Sequence, residues 1–182
     1  MGEHHLLGLC GALRAGSTNR KLLHEAMRLY APDSFTEADL RLPLYDGDLE
    51  DAVGVPPGVQ LLADQIKAAD AIVIATPEYN AALSGVLKNA LDWVSRVKGG
   101  VWQGKPVAIM SAAEGRAGGA RSQVTLRHAM TPFNPRILQG PEVMLAASRS
   151  AFDEQGRLLE ERATKGVANL MAALRAEVAL LQ

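Results

Sequence analysis

Leu6-Leu7-Gly8-Leu9-Cys10-Gly11-Ala12-Leu13-Arg14-Ala15-Gly16-Ser17-Thr18-Asn19 decides the fold. Its first five residues are an apolar run that reads as a buried strand. Beyond it, Leu22, Leu23, Ala26, Met27 and Tyr30 recur at helical spacing. A short loop of small residues, hydroxyls and one arginine therefore joins a strand to the start of a helix over about Thr18 to Tyr30. The first N–H groups of a helix lack partners, and its dipole favours negative charge there. Ser17, Thr18 and Asn19 add side-chain donors, and Arg14 adds a guanidinium fork suited to phosphate. The plainer reading is a capped helix, with Ser17, Thr18 or Asn19 as the cap and Gly16 easing the turn. The loop is not a Walker loop, since no Gly-Lys-Ser/Thr run exists. It is not the dinucleotide pattern either, because Leu13 occupies the place of the second glycine.

Working outward, apolar runs alternate with amphipathic helical segments, which argues for a parallel sheet covered on both faces. Strands are expected at about Leu6–Gly11, Ser34–Asp39, Ala71–Ala75, Pro106–Ser111 and within Arg136–Val143. Helices are expected at about Thr18–Tyr30, from Pro56-Pro57 to Ala69, around Val86–Val94, from Gly118-Gly119 to Met130, and at about Glu160–Leu181. Leu42-Pro43-Leu44-Tyr45-Asp46-Gly47-Asp48 reads as a loop. No linker or repeat interrupts residues 1–182, so one α/β domain is expected. Five strands and five helices suit a flavodoxin-like three-layer sandwich with a parallel sheet of order 2-1-3-4-5.

In that order ligands bind at the carboxyl ends of the strands, where the winding reverses. Two unusual loops meet there. One is the loop already described. The other is Thr76-Pro77-Glu78-Tyr79-Asn80, where Pro77 restricts the backbone and can turn the N–H groups of Glu78, Tyr79 and Asn80 into the crevice. An ordinary strand-to-helix turn with Asn80 as cap reads equally well. A third loop, Ser111-Ala112-Ala113-Glu114-Gly115-Arg116-Ala117-Gly118-Gly119, is small enough to admit a planar ligand, or else is a flexible surface loop.

Bulk properties narrow the class. A formal net charge of −1 gives no electrostatic case for nucleic acid or an anionic membrane. No apolar run approaches the ~20 residues needed to span a bilayer, and the N-terminus lacks a secretory pattern. A soluble cytoplasmic protein is expected. Cys10 is the single cysteine and reads as a buried, inert thiol. His4 and His5 read as a frayed terminus, His24 and His128 as helix surface, and no metal is expected.

The chain resembles the NAD(P)H-dependent FMN reductases of flavodoxin-like fold, among them enzymes described as quinone, chromate and azo-dye reductases. The resemblance rests on an ordered set of segments: Gly11-Ala12-Leu13-Arg14-x-x-Ser17-x-Asn19, Leu42–Asp46, Thr76–Asn80, Leu87-Lys88-Asn89-Ala90-Leu91-Asp92-Trp93, Gly104-Lys105-Pro106 and Gly118-Gly119-Ala120-Arg121. It implies one FMN per subunit, with NADPH or NADH as co-substrate in a ping-pong cycle. It places the cofactor against Ala12, Leu13, Arg14, Ser17, Thr18 and Asn19 at the phosphate, and against Pro77, Glu78, Tyr79, Asn80, Ser111 and Ala112 at the ring. Family members usually carry Ser directly after the first glycine, and this chain carries Ala12. No catalytic acid or base is implied, because the flavin supplies the hard chemistry. Quinones, azo dyes, nitro compounds, ferric complexes and chromate are the implied acceptors. A homodimer or homotetramer is implied as well, with Arg121 and Glu142 as interface charges and Trp93 in the core or at the interface. Two other classes are a flavodoxin-like electron carrier, against which the near-neutral charge argues, and a flavin-free domain that binds phosphate esters.

Overall fold

The computed structural model describes residues 4–181. The sheet is parallel throughout. β1 (His5–Cys10) lies between β2 (Ser34–Glu37) and β3 (Ala71–Thr76), and β4 (Pro106–Ala112) pairs with β3. On the outer side of β4 sit two short strands, β5 (Arg136–Ile137) and β6 (Val143–Leu145). The order β2-β1-β3-β4-β5 is the expected one, with β6 as an addition.

Alternation along the strands builds a core on each face. Leu6 and Cys10 of β1, Val73 and Ala75 of β3, and Ala108 and Met110 of β4 pack beneath α1 (Thr18–Tyr30) and α6 (Glu161–Ala179). Leu7, Leu9, Ile72, Ile74, Val107 and Ile109 point the other way. They meet α3 (Pro57–Ala68), α4 (Gly85–Val94) and α5 (Ala120–Met130). Gly8 lies on the first face, so α1 approaches β1 closely there. A Cβ at Gly8 would sit 2.9 Å from the Phe35 ring and 3.0 Å from Leu23 Cδ2.

Helix boundaries follow local chemistry. Ser17 caps α1 by accepting the Arg20 N–H, and Ala31 ends it in the left-handed region ahead of Pro32. Pro57 opens α3 at a position where the missing N–H costs nothing. Lys105 closes it, donating from Nζ to the carbonyls of Lys67 (2.6 Å) and Ala69 (2.7 Å). Burial pushes the Lys105 ammonium below its ordinary pKa.

Three expectations need correction. The last strand is split. After Leu138 donates to the Val107 carbonyl (3.0 Å), the chain leaves the sheet. Pro141, which has no N–H, lies in the excursion before pairing resumes at Val143 opposite Met110. The segment read as a loop ends in a helix start: α2 (Gly47–Val53) begins on its last two residues and runs on through residues the sequence reading left unassigned, with Asp46 accepting the Asp48 N–H as a cap. His4 and His5 are not frayed: their N–H groups donate to Asp33 Oδ2 (2.7 Å) and Asp70 Oδ2 (2.8 Å) at the starts of the flanking strands.

Trp93 is fully buried, and its Nε1–H donates to the Pro43 carbonyl at 2.8 Å. Asn89 donates to the same carbonyl and accepts the Tyr45 N–H. The Leu42–Asp46 and Leu87–Trp93 segments are thus two halves of one clamp.

Candidate functional site

Loops following β1, β3, β4 and β6 converge at the carboxyl edge of the sheet and enclose a cavity of about 360 Å³. That volume lies within the range typical of small-ligand sites.

The first loop leaves the sheet at Gly11, whose N–H donates to the Ala75 carbonyl (2.8 Å). A side chain there would force its neighbours to shift, because a Cβ would lie 2.6 Å from Leu87 Cδ1 and 3.0 Å from Pro77 Cδ. Ala12, Arg14, Ser17, Thr18 and Asn19 all line the cavity, together with Gly16 and Lys21. Arg14 is exposed, and its guanidinium has no partner among the described residues. The N–H groups of Thr18 and Asn19 likewise find no acceptor among the described residues, so they remain the open end of α1. Asn19 has a different task from the one its type suggests. Its amide donates to the Ala112 carbonyl (2.8 Å) and accepts the Ala112 N–H (2.9 Å), bracing the first loop against the end of β4. Leu13 points away, into a groove beside Arg20 and Arg41.

Pro77, Glu78 and Tyr79 line the cavity from the second loop, whereas Asn80 does not. Asn80 and Ala81 both have positive φ, at 51° and 63°, and form the centre of a tight turn. In it Tyr79 and Ala82 exchange N–H···O bonds of 3.1 Å. The expected row of three inward N–H groups is therefore interrupted, because that of Tyr79 is spent on Ala82. The Tyr79 side chain is more than half exposed at the cavity mouth. Glu78 Oε2 accepts the Arg121 N–H (3.0 Å) at the start of α5, with the Arg121 guanidinium at 3.7 Å from Oε1. The helix dipole and this cation together hold the carboxylate.

Ala112, Ala113 and Glu114 form the third wall. Ser111 lies beneath it rather than in it. The residue is fully buried, its hydroxyl donates to the Gly118 carbonyl (2.7 Å), and it accepts from Gln123 Nε2 (2.8 Å). Gly118 passes so close to β6 that a Cβ would be 2.5 Å from the Met144 carbonyl. Arg116 is not among the cavity residues.

Sequence reading missed the fourth wall, Ser148 and Arg149, along with Lys21, whereas Ala113 and Glu114 lie in the third loop it named. The signal was Ser148-Arg149-Ser150 following a strand, and it stayed hidden because the split strand was not resolved. Three cations, Arg14, Lys21 and Arg149, border the cavity. Cys10 lies outside it, and burial pushes its thiol up, away from the reactive thiolate. Among the described residues no three His, Cys, Asp or Glu side chains gather as a metal site, and no helix is long and apolar enough to cross a membrane.

Residues 5–149, which carry all four loops except Ser150, match the model of the NADPH-dependent FMN reductase family. The chain belongs to this family. An NAD(P)H-dependent FMN reductase of Pseudomonas aeruginosa is 45% identical over 172 residues, covering 93% of this chain and 92% of the relative. A quinone reductase of Escherichia coli is 37% identical over 161 residues, covering 84% of each. Among solved structures, a flavoenzyme NAD(P)H:(acceptor) oxidoreductase of Paracoccus denitrificans superposes with a TM-score of 0.87 at 28% identity, covering 97% of this chain and 98% of that one. The FMN reductase family is one of oxidoreductases, which places the chain among enzymes rather than simple electron carriers.

Proposed function

We propose that this FMN reductase family member is an NAD(P)H:quinone oxidoreductase of one domain that holds FMN in the four-loop cavity. The carrying observation is the asymmetry of that cavity. One end presents the open N–H groups of Thr18 and Asn19 with Arg14 and Lys21, an anion-binding arrangement. The other end presents Pro77, Tyr79, Ala112 and Ala113, flat or small side chains suited to a planar ring. A phosphorylated flavin fits both ends. When bound, FMN supplies the two-electron chemistry that links NAD(P)H to the acceptor.

The protein's part is binding and orientation. Arg14, Thr18 and the α1 N-terminus grip the phosphate, Ser17 shapes the cap, and Asn19 keeps the first loop at a fixed distance from Ala112. The N–H of Glu78 has no acceptor among the described residues and lines the ring end, where it favours negative charge. Glu78's carboxylate is tied to Arg121, so we assign it no acid role. The relatives named for quinones support that acceptor class, and the exposed Tyr79 mouth supports loose selection. Azo dyes, ferric complexes and chromate are included in the proposal on that second ground alone.

The test is anaerobic. FMN-loaded protein is mixed with NADPH or NADH, then with a benzoquinone, while the yellow absorbance is followed. Loss of colour and its return on adding quinone are expected. Protein that stays colourless after desalting from FMN, or colour that NAD(P)H leaves unchanged, overturns the reading.

A further inference from the structure

We infer that the Ser148–Arg149 turn is a second arm of the phosphate cradle, closing on the group from the side opposite α1. The inference rests on the FMN reading above and extends it to residues outside the first loop.

The first loop alone makes a shallow cradle. Ala12 offers only a methyl. The Ser17 hydroxyl accepts the Arg20 N–H, and the Asn19 amide is fully committed to Ala112. A phosphate has three terminal oxygens, and on this side Arg14, Lys21, the remaining proton of the Ser17 hydroxyl and the two open N–H groups are left to meet them, because the Thr18 hydroxyl donates to Ser148. Ser148 stands directly across. Its Oγ is 3.2 Å from Thr18 Oγ1, and the residue is 4% exposed. Two hydroxyls that share one proton leave the other proton free to donate. Both residues line the cavity, so that donor is available to its contents.

Arg149 brings the charge. Its guanidinium has no partner among the described residues, and it borders the same cavity. Glu114, the carboxylate beside it, accepts the Arg149 N–H (3.2 Å), while the Ser148 N–H donates to the Ala113 carbonyl (3.3 Å). The turn is thereby fastened to the third loop. Ala147, just before it, holds φ 45°, a conformation that non-glycine residues keep only where surroundings impose it. The arm is thus positioned before any ligand arrives.

Apoprotein is titrated with FMN and, separately, with riboflavin, which lacks the phosphate. Binding is read from quenching of flavin fluorescence. Wild type is expected to bind FMN far more tightly. Ser148→Ala is expected to raise the FMN Kd about tenfold, as for loss of a hydrogen bond to a charged group, and to leave the riboflavin Kd unchanged. Arg149→Gln, at an exposed position that does not threaten folding, is expected to raise it about fivefold at low salt and less at 0.5 M salt. Unchanged FMN binding in both variants overturns the inference alone. Equal weakening for FMN and riboflavin also overturns it, since the turn would then only shape the site. Wild type that binds neither flavin sinks the cofactor reading itself, and this inference with it.

Discussion

Glu37 receives two basic partners, Arg20 Nε at 2.7 Å and His24 Nε2 at 2.7 Å, and so fastens α1 to the edge strand β2. Burial alone would raise its pKa, but the hydrogen bonds from His24 and Arg20 outweigh burial and hold it below the ordinary carboxylate value. A folded pKa below the unfolded one means stability that is present above about pH 4.3 and lost as pH falls through the folded value. Glu37→Gln is therefore expected to cost about 1 kcal/mol at pH 7 and less at pH 3. Urea midpoints at the two pH values check this, and an equal cost at both rejects it. At this scale, residue type was legible in the sequence while commitment was not. Asn19 reads as a side-chain donor to a phosphate, and Ser111 as a ring contact implied by resemblance. Each spends its polar groups on Ala112 or on Gly118 and Gln123, partners distant in sequence that only the folded sheet brings near.

The tight turn at Asn80-Ala81 is an element whose backbone asks for a different residue. Both central positions have positive φ, and two-residue hairpin turns of this kind favour glycine at the second. Alanine there carries a left-handed penalty of about 1 kcal/mol or more. Ala81→Gly is expected to stabilise by about 0.5–1 kcal/mol after the chain-entropy cost of glycine, which calorimetry would register as about 1–4 °C in Tm. A lower Tm would show that the turn is held by contacts that need the methyl. Element legibility followed strand length. β1, β3 and β4 are long, apolar and buried, and each is visible as a run. β5 and β6 have two and three residues, too few for any periodicity. With them went the turn at Ser148, the one wall of the site that sequence did not suggest.

The site belongs to the whole molecule. No loop encloses the cavity alone, and the walls come from residues 12–21, 77–79, 112–114 and 148–149. Whatever fills it joins segments far apart in sequence and binds only the folded chain. FMN at one hundred times its Kd is therefore expected to add about 2.7 kcal/mol of stability. For a chain of this size that raises Tm by roughly 5–10 °C. Thermal melts of apoprotein with and without FMN measure this, and coincident curves would exclude the cavity as its seat. The crevice's location was legible because strand order dictates it; its inventory was not, because it depends on loop paths. The broken border strand has its own consequence. A long, flat margin of unpaired peptide groups invites a stranger's strand to zip on and seed aggregation. Here the outer flank of β4 carries two stubs separated by a proline-bearing detour, and the opposite margin, β2, has only four residues. Neither rim gives an intruding chain enough consecutive rungs to climb.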